Sequence, residues 1–205
     1  MAAPAKLENI RYPAWFNKPL PLDRYSYRDY KKWDDDISAE LLDGIPYMMA
    51  SPNEKHQSIV SELHGQLWSQ LKGKKCKVYS ELDCRLFYEA DESDKTVVRP
   101  DLIVVCDSEK VKGKANCEGA PDFVIEVVSK HSMGKDLIDK KNLYEQGGVK
   151  EYWVIDEKKV YRYELENGLY VEDISSLELG LKLQVKILDS LWLDFGPIAE
   201  EFWNN

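Results

Sequence analysis

Apolar and polar positions along this chain change period several times, and each change marks a predicted element. Ile59, Leu63, Leu67 and Leu71 recur at helical spacing, with His56 near the start of the pattern. A helix is expected there, capped by Ser51 or Asn53 and ended at Lys72-Gly73. Before it, "ELLDGIPYMMA" predicts two strand pieces around an Asp43-Gly44 turn. After it, "CKVYSELDCRLFY" and "TVVRPDLIVVCD" read as strands separated by the acidic loop "EADESDK". A lysine-rich loop over 108–119 leads to a strand at 122–128. A helix follows from Met133 to Gln146, capped by Ser132 and stopped by Gly147 and Gly148. "EYWVID" and "KVYRYEL" are predicted to pair across Glu157-Lys158, and weaker strand patterns continue to a short C-terminal helix.

The N-terminal 24 residues hold Pro4, Pro13, Pro19 and Pro21 without a period, so they are expected to form an extended lead-in. Ser26 then caps a short helix carrying Tyr27, Tyr30 and Trp33. Residues 25–205 are read as a single domain. Strands that alternate with helices, several of them apolar almost throughout, predict an α/β fold with a mixed central sheet covered on both faces.

That architecture makes "DFVIEVV" a problem, because it sets Glu126 inside an otherwise apolar strand. An unpaired buried carboxylate loses several kcal/mol or takes up a proton. Two remedies are open: a salt bridge to a lysine, or a divalent cation shared with further carboxylates. The preceding strand offers a partner in "VVRPDLIVV". Pro100 cannot donate to a sheet ladder, so the pairing there is disturbed next to Asp101. If these two strands are neighbours, Asp101 and Glu126 converge on one hard cation.

Composition narrows the setting. The 205 residues are 43% hydrophobic and 32% charged, enough for one sizeable core. No apolar run of membrane-spanning length and no secretory leader is visible, so a cytoplasmic protein is expected. The net charge of −9 argues against broad affinity for nucleic acid, although Lys72, Lys74, Lys75 and Lys77 crowd one segment. Further clusters, Lys110, Lys112 and Lys114, then Lys130, Lys135, Lys140 and Lys141, read by default as solvated surface. Cys76, Cys84, Cys106 and Cys117 show no CxxC pair and no zinc-finger spacing. Neither a structural zinc nor a disulfide framework is expected, and each reads as a small buried or half-buried side chain.

Pro100-Asp101 followed by Glu126 resembles the PD-(D/E)xK nuclease superfamily. The ordered blocks "ELLDGIPYMMASPNEKHQSIV", "VVRPDLIVV", "APDFVIEVVS" and "YEQGGVKEYWVID" further resemble the Uma-type family of restriction endonucleases, over about residues 38–195. The resemblance implies a restriction-endonuclease-like fold, a mixed central sheet flanked by helices, with Asp101 and Glu126 as metal ligands. It also gives Glu40, which opens the "E-L-x-D-G" block, a second metal or a water to orient. On the bare residues Glu40 reads as a surface charge just before a strand.

The superfamily sets its lysine two positions after the acidic residue, where this chain has Val128. Lys130 shares the strand face of Glu126, but a rise of about 3.3 Å per residue places it roughly 13 Å away. Lys140 and Lys141 flank the apolar stripe of the following helix about equally, and periodicity does not choose between them. The family pattern does, because its recurring lysine stands four residues before the tyrosine leading into "G-V-x-E-Y-W". With Tyr144 here, that lysine is Lys140.

Other signals carry less. Pro121-Asp122 mimics the motif but lies too close to Glu126 for another strand to intervene, so it reads as a strand start. His56 is open to a role as a base or phosphate contact in the cleft but reads first as a helix-surface or packing residue, and His131, which follows Ser129 toward the site, reads as a loop residue. No nucleophile elbow surrounds Ser51 or Ser129, and no phosphate-binding P-loop is present. Tyr152, Trp153, Tyr161 and Tyr163 alternate as core and sheet-face aromatics. The expectation is an Mg²⁺- or Mn²⁺-dependent DNA endonuclease acting as a homodimer through Glu40, Asp101, Glu126 and Lys140. The competing expectation is a catalytically silent member of the same fold that binds nucleic acid or protein, which Val128 and the acidic charge favour.

Overall fold

The computed structural model describes residues 24–34, 37–128, 135–156, 158–177 and 181–202, with backbone alone at 135–137. The lead-in expected over 1–24 lies outside the described residues except for Arg24, as do Lys130, His131 and Ser132. Helix α1 (Tyr27–Tyr30) begins at Ser26, whose backbone N–H donates to Asp29 Oδ2 at 3.0 Å. Strands β1 (Ala39–Leu42) and β2 (Ile45–Met48) form a hairpin. Its turn residues, Asp43 and Gly44, have φ of 48° and 75°, the left-handed pair that a two-residue hairpin turn requires. Helix α2 (Glu54–Leu71) is capped by Asn53, whose side chain accepts from His56 N at 2.9 Å.

Strands β3 (Lys77–Ser80), β4 (Cys84–Arg85), β5 (Val97–Val98), β6 (Leu102–Val105), β7 (Cys117–Glu118) and β8 (Phe123–Val127) follow. Next come helix α3 (Lys141–Gly147), β9 (Glu151–Ile155), β10 (Lys159–Glu166), β11 (Leu169–Ser176), β12 (Lys182–Gln184), β13 (Trp192–Asp194) and helix α4 (Gly196–Phe202). Among the described residues the strands form three sheets. The largest is mixed, in the order β11-β10-β9-β8-β6-β3, with β8 and β9 parallel. A second has the order β2-β1-β5-β4-β7, and β12 pairs with β13.

Alternation along the central strands supplies a core on each face of the largest sheet. Leu102, Val104, Phe123, Ile125, Trp153 and Ile155 face the apolar side of α2, where Ile59, Leu63 and Leu67 are buried. Ile103, Val105, Val124, Val128, Tyr152 and Val154 face Tyr144 of α3 and Leu42, Cys84 and Val98 of the smaller sheet. The mixed α/β sheet expected from the sequence is present, and the smaller sheet shares the covering of its second face with α3.

Three local expectations change. "TVVRPDLIVVCD" divides at Arg99-Pro100, so that Val97–Val98 joins the smaller sheet and Leu102–Val105 the larger. "CKVYSELDCRLFY" divides likewise into β3 and β4. The helix expected to run unbroken to Gln146 contains a π-helical turn over Lys135–Lys140 before the α-helical segment; Gly148 closes it with φ of 83°.

The cysteine reading needs correction as well. Cys76 and Cys106 form a disulfide. Lys77 pairs with Val105 in the antiparallel β3–β6 ladder, and one step outward along that register sets Cys76 against Cys106. Sequence spacing carries no information about such a cross-strand register. Cys84 and Cys117 are buried free thiols, as expected.

Candidate active site

The break at Pro100 builds the site. Where β5 leaves the smaller sheet, the backbone N–H of Arg99 donates to Glu40 Oε1 at 3.0 Å. The kink thereby ties β1 to the start of β6. Two residues later Leu102 pairs with Ile125, and one further step of the antiparallel register sets Asp101 opposite Glu126. The neighbouring strands that the sequence required are therefore in place.

Glu126 lies next to the end of β8 on the Tyr144 side of the sheet and is 5% exposed. Lys140 is its cation. Lys140 Nζ stands 2.7 Å from Glu126 Oε1 and 2.7 Å from Glu40 Oε1, with all three side chains buried. Glu40, expected from its bare sequence context at a surface, is 2% exposed. Tyr144, one helical turn beyond Lys140, donates its hydroxyl to the same Glu126 oxygen at 2.9 Å. Burial, reinforced by the nearby Glu126 charge, pushes the Tyr144 phenol well up, so it acts as a donor and not as an acid near neutral pH.

The π-helical turn separates the two lysines that periodicity could not rank. Lys140 ends that turn and reaches the carboxylates, whereas the Lys141 ammonium lies 4.8 Å from the Tyr163 ring centroid. Val128, at the superfamily's usual lysine position, is buried in the core and donates its backbone N–H to Ile155 O at 2.8 Å.

Asp101 is oriented differently from the buried pair. Its Oδ2 accepts from the Val127 backbone N–H at 2.7 Å and lies 3.2 Å from His56 Nε2. His56 thus reaches Asp101 from the first turn of α2, beyond the helix-surface or packing role that its sequence context favours. Burial pulls its pKa down, but the hydrogen bond and charge of Asp101 outweigh burial and raise it overall.

Arg99 adds a second cationic group nearby. Its guanidinium pairs with Asp83 at 2.6 Å, and that hydrogen bond holds its pKa above the usual arginine value. Tyr30 donates to Asp83 at 3.1 Å. Arg99 and Tyr144 had readable signals: one precedes the Pro100 break, the other follows Lys140 by four residues. Asp122 stands at the opposite end of β8, bonded to Lys150 Nζ at 2.7 Å and the Cys106 N–H at 2.8 Å. It is a strand-start residue, as expected.

Asp101 and Glu126 bring carboxylates from adjacent strands, the donor type that a hard divalent cation takes. Among the described residues no three His, Cys, Asp or Glu side chains close into a cage. Mg²⁺ characteristically binds through one or two carboxylates, completing its shell with water and substrate phosphate.

Glu40 from the smaller sheet and Glu126 from the larger thus meet at one buried lysine, with Asp101 on the strand beside Glu126, on a mixed α/β sheet. Residues 27–196 match the Uma2 family, described as "Putative restriction endonuclease", and the chain belongs to that family. A similar solved structure is that of "a putative nuclease belonging to DUF820" from Anabaena variabilis ATCC 29413. It is 19% identical, with a TM-score of 0.69 over 86% of this chain and 98% of that one, which shows a shared fold. No curated protein matches the chain.

Proposed function

We propose that this protein is an Mg²⁺- or Mn²⁺-dependent DNA endonuclease that hydrolyses phosphodiester bonds as a homodimer in the cytoplasm. The observation that carries the reading is the Lys140 ammonium held 2.7 Å from both Glu40 and Glu126, beside Asp101 on the neighbouring strand. Asp101 and Glu126 would hold the cation. When bound, it would supply a Lewis acid and a water of lowered pKa. Lys140 would offset negative charge gathering on the attacked phosphate. Glu40 fixes that ammonium and, with a shift of Lys140 toward substrate, would orient a water or take a second ion. In a reducing cytoplasm Cys76 and Cys106 would stand as adjacent thiols.

Supercoiled plasmid and single-stranded DNA incubated with the protein in Mg²⁺ or Mn²⁺ test this directly. Nicking is expected in the wild type and not in Asp101→Asn or Glu126→Gln; activity surviving both substitutions would contradict the site. The second reading, a silent nuclease fold that binds nucleic acid or protein, draws on Val128 in the core. Absence of both nicking and metal binding in the wild type would favour it.

A further inference from the structure

The lysine cluster at 72–77 is not adequately described as solvated surface, because it surrounds an exposed tryptophan. Helix α2 and strand β3 run back along one another from the turn that joins them. At that turn they enclose a cleft of ≈ 370 Å³ lined by Trp68, Leu71, Lys72, Gly73, Lys77, Val78 and Tyr79. No acidic side chain lines it among the described residues. Trp68 is 54% exposed, and the Lys72 ammonium lies 4.9 Å from its ring centroid. Lys77 is exposed on its rim, and Lys74 and Lys75 are exposed in the turn between α2 and β3, where Lys74 Nζ donates to Ser190 Oγ at 3.1 Å. A large indole left open within a cationic rim, in a chain of net charge −9, is a local reversal of the protein's field.

The same two elements lead from this cleft to the candidate active site. At the other end of α2, His56 contacts Asp101. At the other end of β3, the Glu81 N–H donates to Asp101 O at 3.2 Å. Twelve residues of α-helix separate His56 from Trp68, about 18 Å at a rise of roughly 1.5 Å per residue. That distance corresponds to on the order of five nucleotides at about 3.4 Å per strand step. Among the described residues, strand β3 is also an edge of the large sheet, with no strand on its outer side.

We infer that the Trp68 cleft is a nucleic-acid subsite that stacks an unpaired base of a strand leaving the active site. Lys72 and Lys77 contact its phosphates. An aromatic face accepts any base, so the subsite holds the strand without reading its sequence. The inference deepens the nuclease reading and rests on it for the direction of the strand.

Fluorescence anisotropy of labelled single-stranded oligonucleotides, measured with the full chain in EDTA, tests the subsite apart from cleavage. Trp68→Ala should weaken binding by roughly tenfold or more, and Trp68→Phe should restore most of it. Lys72→Ala with Lys77→Ala should lower the slope of log affinity against log salt by about 0.7 for each phosphate that is no longer neutralised. Wild-type protein that binds no single strand at low salt, or Trp68→Ala protein that binds like wild type, would overturn the inference. So would salt-sensitive binding of polyglutamate that Trp68→Ala leaves unchanged, which would identify an acidic polypeptide as the occupant. The plasmid assay keeps the two readings apart. Nicking without Trp68-dependent binding sinks the subsite alone, whereas Trp68-dependent binding without nicking sinks the catalytic reading alone.

Discussion

Two glutamates lie buried in adjacent parallel strands of the central sheet, and they have opposite surroundings. Glu126, near the end of β8, faces the Lys140 ammonium and the Tyr144 hydroxyl, with Glu40 on the far side of that ammonium. Glu151, which opens β9, accepts from Trp153 Nε1 at 2.7 Å and the Ile187 N–H at 3.0 Å. Both are almost fully covered, at 5% and 2% exposed. Glu151 is satisfied by neutral donors that fasten a distant loop to the sheet, and burial raises its pKa. Glu126 is satisfied by a charged group at the end where Asp101 and His56 also arrive. Burial alone thus does not distinguish the two carboxylates; the charge of their partners does.

The largest separation should appear in activity. Glu126→Gln is expected to reduce metal-dependent nicking by at least about 100-fold, the scale on which a group stabilising transition-state charge acts. Glu151→Gln should stay within about twofold of wild type in the same plasmid assay. Equal losses from both would dissolve the contrast.

Stability should separate them next. Lys140→Met leaves two buried carboxylates without their shared ammonium, so denaturant titration should show a loss of about 3–5 kcal/mol. Among the described residues Glu151 has no such cation to remove. Its own signature is pH dependence. A carboxyl whose pKa is raised on folding binds its proton more tightly in the folded state, so its contribution is complete below the ordinary glutamate pKa. It declines as pH rises through the raised value. Glu151→Gln should flatten that decline in urea midpoints measured between about pH 4 and pH 8. The smallest effect is expected from Tyr144→Phe, which removes one hydrogen bond to Glu126 and should lower stability by about 1–3 kcal/mol in the same titration.

The local part of this architecture was legible in the sequence. Asp43-Gly44 announced its hairpin, the Ile59–Leu71 stripe its helix, and the carboxylate inside "FVIEVV" a site in need of a cation. Lys140 was singled out over Lys141 only by the family resemblance, and in the structure Lys140 and Tyr144 both reach one Glu126 oxygen from successive turns. What stayed hidden depends on pairing between distant segments. The Cys76–Cys106 disulfide follows from the β3–β6 register, and the His56 contact follows from how α2 packs beside β6. The division of "TVVRPDLIVVCD" between two sheets depends on Glu40 capturing the Arg99 N–H. Strand periodicity reports which face a residue occupies and leaves open which strand lies opposite.

If Lys140 and the carboxylates around it form a catalytic group and not merely a buried salt bridge, single-turnover nicking of supercoiled plasmid in Mn²⁺ must separate wild type from Lys140→Met protein shown to be folded. Nicking by the wild type and a fall of at least about 100-fold in the variant are expected; equal rates for the two proteins would rule the catalytic group out.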